Sequence, residues 1–283
     1  MTIGWILKSK KAAILGGMVM LALCAGIGGK VHSQKQQQIQ ESIAESIQAE
    51  AEAERIRQQE LANRLPELSD SQVQLLDQIE DALQQGDLSA AAELMIQQGE
   101  RLWVLCYDVL DGEPYLYHEG KLHREMDGKG MVLKKPSTIF YGTVKDGSPT
   151  GYGTMLQVIE LDYPRYDYSL GNWKDGKLNG DGIIGYQYYK GAGEENQSVS
   201  REGDFVDDCM EGTVIYRTVN AEGTETNWNM TVKDGKLVLD ENWTFDEEKQ
   251  TYQLRANQNS GHAFVTSKDA AENMMFQNMI PWE

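Results

Sequence analysis

Hydrophobic positions change period three times along the chain, and each change predicts a different element. From Ala12 to Gly29 the sequence AAILGGMVMLALCAGIGG is continuously apolar or small over 18 residues. That is just enough helix, at 1.5 Å per residue, to cross a hydrocarbon core of roughly 30 Å. From Ser33 to Leu65 the chain is rich in Gln, Glu and Ala and free of Gly and Pro, with Ile39, Ile43 and Ile47 four residues apart. This predicts a mostly solvated helix carrying one narrow apolar stripe, stopped by Pro66. Past Pro66, Val73, Leu76, Ile79 and Leu83 recur at helical spacing. Two amphipathic helices follow, the first capped by Ser69 or Asp70 and closed at Gly86. From Arg101 the run RLWVLCYDVL, bounded by DGEP, reads as the first strand of a β region.

That region repeats. Segments starting at Tyr115, Gly142, Gly171, Gly203 and Met230 lie 27, 29, 32 and 27 residues apart and share their columns. Four residues in come Glu119, Asp146, Asp175, Asp207 and Asp234, followed by Gly120, Gly147, Gly176, Asp208 and Gly235. An Asp-Gly pair predicts a two-residue hairpin turn, whose primed geometry needs positive φ. Two residues into each unit stand Tyr117, Val144, Trp173, Phe205 and Val232. The return strand carries Gly128 and Gly130, Gly151 and Gly153, Gly180 and Gly182, then Gly212 with Val214 in the second place. Glycines two apart leave bare backbone on one face, on which a neighbouring aromatic ring can lie. Val132, Met155, Ile184, Tyr216 and Trp243 then refill that surface.

The pattern in YGTVKDGSPTGYG and GNWKDGKLNGDG resembles MORN repeats, β-hairpin units that stack into one elongated twisted sheet. The resemblance covers roughly residues 107–245, with an insertion in unit one at KLHREMDG and only KDG kept in unit five. It implies a scaffold or protein-binding surface, in some families beside a catalytic domain and often close to a membrane. The expected fold is therefore mainly β: an elongated, twisted antiparallel sheet of stacked hairpins at 101–245, preceded by a transmembrane helix, a helical stalk and a short helical hairpin. The expected divisions are an anchor at 1–30, a stalk at 31–66, a helical hairpin at 67–100, the array at 101–245, and a cap at 246–283. The cap is expected to hold strands at TYQLRA and HAFVTS and a last helix at DAAENMMFQNM.

Charge separates the two ends. Residues 1–40 carry five lysines and no acid, so with the chain at −18 the remainder stands at −23. Such a body repels phosphate, and no basic stripe offsets it, so nucleic acid is not expected as a partner. Lys8, Lys10 and Lys11 before the apolar run orient an anchor through residues 12–29 with the N-terminus in the cytoplasm and the body outside the plasma membrane. A signal peptide cleaved after Ala25 or Ser33 is the competing reading, and the length of the run favours the anchor. Paired stalks offer weak self-association as a coiled coil.

Little chemistry stands out. No P-loop, GxSxG or HExxH is present, the histidines are scattered, and neither an enzyme nor a cofactor is expected. His118 and His123 are the sole neighbouring pair, and strand spacing sends them to opposite faces. Cys106 and Cys209, on the order of 30 Å apart in a linear array, are expected to stay reduced. Two functions remain: a membrane-tethered extracytoplasmic scaffold presenting the repeat surface to a protein, or a module stacking cell-wall glycan on Tyr163, Tyr166, Tyr168, Tyr186, Tyr188 and Tyr189.

Overall fold

The computed structural model describes residues 42, 44–57, 64–160, 164–189, 197–257 and 262–282, in two compact units, Met1–Arg64 and Leu65–Glu283. In the first unit residues 44–57 form a helix with its side chains in solvent. Ile47 is partly covered and Ile56 exposed. The expected anchor at 12–29 lies outside the described residues, as do Ile39 and Ile43. Among the described residues no helix is long and apolar enough to cross a membrane.

The second unit opens with helices α1 (Asp70–Gln84) and α2 (Leu88–Gln97). Ser69 and Gln72 exchange bonds at the start of α1, the Ser69 N–H donating to Gln72 Oε1 at 2.8 Å. Gly86 turns the chain at φ 76°, and the Asp87 carboxylate caps α2 by accepting from Ala90 N at 2.9 Å. The segment expected as the first strand is helical instead: α3 (Gly99–Val104) runs into a π-helical turn, Leu105–Val109. Leu102, Leu105, Cys106 and Leu110 recur at helical spacing and are buried, while Trp103, Val104 and Tyr107 face out. Trp103, Val104 and Tyr107, which suggested a strand, lie on the solvent side, and tertiary burial of the leucines and Cys106 decided the conformation.

Eleven strands form one antiparallel sheet: β1 (Leu116–His118), β2 (Lys121–His123), β3 (Gly128–Lys135), β4 (Thr138–Lys145), β5 (Ser148–Ile159), β6 (Arg165–Lys174), β7 (Lys177–Tyr188), β8 (Ser198–Val206), β9 (Cys209–Val219), β10 (Glu225–Lys233) and β11 (Lys236–Val238). From β3 to β11 each strand pairs with the next in sequence; at the other end β1 pairs with β3, which leaves β2 at the edge. A second sheet, β12 (Trp243–Asp246), β13 (Thr251–Arg255) and β14 (Ala263–Ser267), precedes the short helix α4 (Lys268–Asn273). The strands expected in the cap are present. The expected last helix stops at Asn273; beyond it Met275 and Gln277 form isolated bridges and the chain bends at Met279 and Ile280.

The turn columns hold. Glu119, Asp146, Asp175, Asp207 and Asp234 have φ of 47–50°, and the residues after them, Asp208 included, have φ of 71–82°. Both central residues of each turn are thus left-handed, as type I′ geometry demands. The turns are also linked to one another. Gly176 N donates to Pro149 O, Asp208 N to Leu178 O, and Gly235 N to Met210 O, so each turn bonds the chain two residues beyond the one before it. No Cβ neighbour lies within 4 Å of Gly147, whereas the Trp282 ring stands 3.1 Å from the place of a Cβ on Gly176. Gly147→Ala is therefore expected to lower stability by about 1 kcal/mol through left-handed strain alone. Gly176→Ala should cost more, and equal urea midpoints for the two variants would contradict that placement of Trp282.

The paired glycines divide their labour. Gly151, Gly180 and Gly212 sit at φ 65°, 98° and 82° beside breaks in strand register, so they are bulge positions rather than ring platforms. Gly153 and Gly182 belong to one row across six strands, because Gly130, Gly142, Gly153, Gly171, Gly182 and Gly203 are successive cross-strand neighbours. A Cβ on Gly142 or Gly153 would come within 2.7 or 2.5 Å of Phe140 Cζ, and one on Gly182 within 3.1 Å of the Phe205 ring. Val214 replaces the last glycine where the row has ended, and it is fully buried.

Two cores flank the sheet. Ile139, Tyr141, Leu156, Val158 and Tyr166 pack against α1 to α3 on the helix face. Phe140, Val144, Met155, Trp173, Phe205, Met210 and Trp228 pack on the opposite face with Trp243, Leu254, Phe276 and Ile280 from the C-terminal region. Unit one breaks the pattern: Tyr117 belongs to the helix-face core and Leu116 to the other. Its inserted residues form β2, and the glycine-bearing return strand β3 pairs on the other side of β1, opposing Leu116 to Val132.

Candidate interaction surface

On the helix face, α1 is tied to β1 by polar contacts at a buried seam. Tyr117 donates its hydroxyl to Asp77 Oδ1 at 2.6 Å and to Val73 O at 3.2 Å. His118 Nδ1 lies 2.9 Å from Glu80 Oε1, and Glu119 N donates to Glu80 Oε2. Burial, reinforced by Asp77, raises the Tyr117 phenol above its ordinary value. Burial likewise pushes Tyr166 up to about 12 and raises Tyr189. An acid whose folded value exceeds its unfolded one contributes stability that is fully present below the unfolded value and lost as pH rises through the folded one. Alkaline titration is therefore expected to unfold the helix-capped end as tyrosinate appears. A gradual tyrosinate titration in the ordinary tyrosine range, with an unchanged circular dichroism spectrum, would contradict this.

The six expected tyrosines do not form one platform. Tyr163 lies outside the described residues. Tyr166 is buried on the helix face, its hydroxyl donated to Gln187 Oε1 at 2.8 Å, and Tyr168 and Tyr189 pack against the same core. Tyr186 and Tyr188 lie on the other face as an edge-on pair, ring centres 5.7 Å apart. Arg165 stacks on Tyr186 at 4.5 Å and holds Asp167 at 2.9 Å, where burial outweighs the arginine and raises the carboxyl above its usual value. Gly128 opens β3 at φ 133° opposite Val144, and the other framework glycines stand at the turns, bulges and row already described. The alternation of RYDYSL carried a signal for two faces: Arg165, Asp167 and Ser169 on one, Tyr166 and Tyr168 on the other.

The helices cover only the first strands of their face, and beyond them the sheet is open. A groove of about 370 Å³ runs over the backbones of Gly171, Gly182 and Gly203, bordered by Tyr152, Leu170, Ile183, Asp181, Glu202 and Asp204. Tyr152 is 64% exposed, while Leu170 and Ile183 are partly so. Asp204 is held above its ordinary pKa chiefly by its hydrogen bond with Asp181, so two carboxylates crowd one side of the groove. Further along, Arg217 reaches Glu225 at 3.1 Å and Glu202 at 3.9 Å. The acidic column signalled turns, but the groove depends on which strand faces the helices leave bare, and no local pattern encodes that.

Among the described residues no group of three or more His, Cys, Asp or Glu is placed to hold a metal. Cys106 belongs to the helix-side core and Cys209 to the fourth turn beside Gly235, and neither is bonded to the other.

An eleven-stranded antiparallel sheet of sequential hairpins, with left-handed Asp-Gly turns and a glycine row, is consistent with MORN-like repeats. No family model matches the chain. It is similar to rat (Rattus norvegicus) Alsin, a protein that contains MORN repeats, with 25% identity over 165 residues. The matched stretch is 56% of this chain and 9% of Alsin.

Proposed function

We propose that the array is a protein-interaction module in an extracytoplasmic scaffold tethered by residues 12–29, and that its partner docks on the open part of the helix face. The observation that carries this reading is the acid-rimmed groove over the glycine row, where Tyr152, Leu170 and Ile183 offer contact area and Asp181, Glu202 and Asp204 offer charge. Interfaces of this kind draw binding energy from a central aromatic anchor and selectivity from the charged rim. Its rigidity comes from the sheet, which fixes each side chain through its cross-strand neighbours. The lysines before the apolar run support the tether and its orientation.

Crosslinking in intact membranes, followed by capture of the chain, tests both parts. Tyr152→Ala and Ile183→Lys should each remove the crosslinked partner while the thermal midpoint stays within a few degrees. Retention of the same partner by both folded variants would overturn the docking surface. Protease added to intact cells should release the body, and its protection would overturn the location.

A further inference from the structure

On the face opposite the helices, the tail 274–282 crosses the sheet past four successive hairpins, bridged to it at Met275 and Gln277 and bent at Met279 and Ile280. Phe276 N donates to Gly235 O at 2.8 Å, Met210 N to Phe276 O at 2.9 Å, and Asn278 N to Asp208 O at 2.8 Å. Isolated bridges pair Met275 with Lys236 and Gln277 with Cys209. The inward residues alternate. Phe276 and Ile280 are buried, and the Arg201 guanidinium stacks 5.4 Å from the Phe276 ring. Asn278 accepts from Ser169 Oγ at 2.6 Å and donates to Asp208 Oδ1 at 2.9 Å. Trp282 donates to Gly147 O at 3.2 Å and sets its ring edge-on to Phe140, 5.7 Å away. Between them Met275 and Met279 face out, at 41% and 62% exposure.

We propose that this face is a docking groove for an extended peptide and that the tail is its resident ligand, displaced when a partner supplies a segment with the same alternation of aromatic, asparagine, aliphatic and aromatic residues. Two features separate this from a permanent core element. The tail's backbone bonds to the sheet run through Phe276 and Asn278, and beyond Asn278 the Trp282 side chain reaches Gly147. Its recognition is specific, since Asn278 fills a fixed set of donors and acceptors on Ser169 and Asp208, and a side chain lacking them would leave buried groups unpaired. The strands beneath are held by their own ladders and turn bonds, so the floor of the groove does not need the tail in order to form. The partner has the chemistry of an extended protein segment, read by alternate side chains. This surface is distinct from the open groove of the helix face, although both rest on the array being an interaction module.

The test uses a fluorescein-labelled peptide of residues 274–283 in an anisotropy titration. The full-length chain, whose groove is filled, should bind it weakly. Full-length Trp282→Ala, and the chain ending at Gln277, should bind it roughly 10–100-fold more tightly, because the competent fraction rises when the resident end is weakened. A peptide with Asn278→Leu should lose that gain. Equal affinity for all three proteins, or no binding by a folded variant, would overturn the proposal while leaving the helix-face partner untouched. Should the shortened chain fail to fold, amide exchange of the intact protein decides. The tail amides of Gln277 to Ile280 are expected to exchange well before those of β5 to β8. Exchange of tail and strands only together would show the tail to be permanent, and would equally overturn it.

Discussion

Phe140→Ala is expected to lower stability by about 3–5 kcal/mol, a large share of the roughly 5–15 kcal/mol that holds a domain folded. The ring is fully buried at the centre of the face opposite the helices. It lies against the bare backbones of Gly142 and Gly153, edge-on to Trp173 at 5.6 Å and to Trp282 at 5.7 Å. Neither glycine has a side chain that could move into the space, so the cavity would stay open and the full cost of lost contact would remain. Urea unfolding followed by tryptophan fluorescence measures it, since two of the ring's neighbours are the reporters. A loss below about 1 kcal/mol would mean that the ring is not seated there.

The reciprocal substitution, Gly153→Val, should cost about 3 kcal/mol, at the upper end for overpacking a filled core. Its first added carbon would come within 2.5 Å of Phe140 Cζ and 3.1 Å of the Tyr141 carbonyl oxygen. The ring can yield and the carbonyl cannot, because it belongs to the ladder of β4. Combining Gly153→Ala with Phe140→Leu separates the two: the alanine penalty should fall by about 1 kcal/mol or more when the ring is gone. Strict additivity of the two changes would show that the glycine is kept for some reason other than the ring.

These two residues also show what was legible in the sequence. The turns were, since an acidic residue followed by glycine suits the left-handed backbone of a tight hairpin, and five such positions at a regular spacing declare an array. Phe140 was not singled out, because it precedes the aligned columns and its role depends on register across three strands. The two glycines of each return strand looked equivalent. In β5 and β7 they differ because β-bulges place Gly151 and Gly180 at positive φ and leave Gly153 and Gly182 beneath a ring, and register breaks are set by pairing rather than by local sequence. The segment RLWVLCYDVL was misread because periodicity cannot separate a short buried helix from a strand. In unit one a shift of one residue sent Tyr117 to the helices, since side-chain direction in a strand reverses with every step. For the surface, the tyrosine-rich composition of β6 and β7 was visible, and its division between two faces follows from alternation alone. The open groove was not visible, since it is defined by where the helices end.

The bond from Trp282 to Gly147 spans 135 residues, in a sheet whose other strand contacts are nearly all between sequence neighbours. Hairpins that touch only their neighbours can form in any order and close quickly. The tail cannot, because its sites on hairpins two to five exist only after all four have stacked. Its docking is therefore the closing step of folding, an event that reports completion of the whole row. A chain with one defective hairpin would keep Phe276, Ile280 and Trp282 exposed, and so would carry its own mark for retention by chaperones.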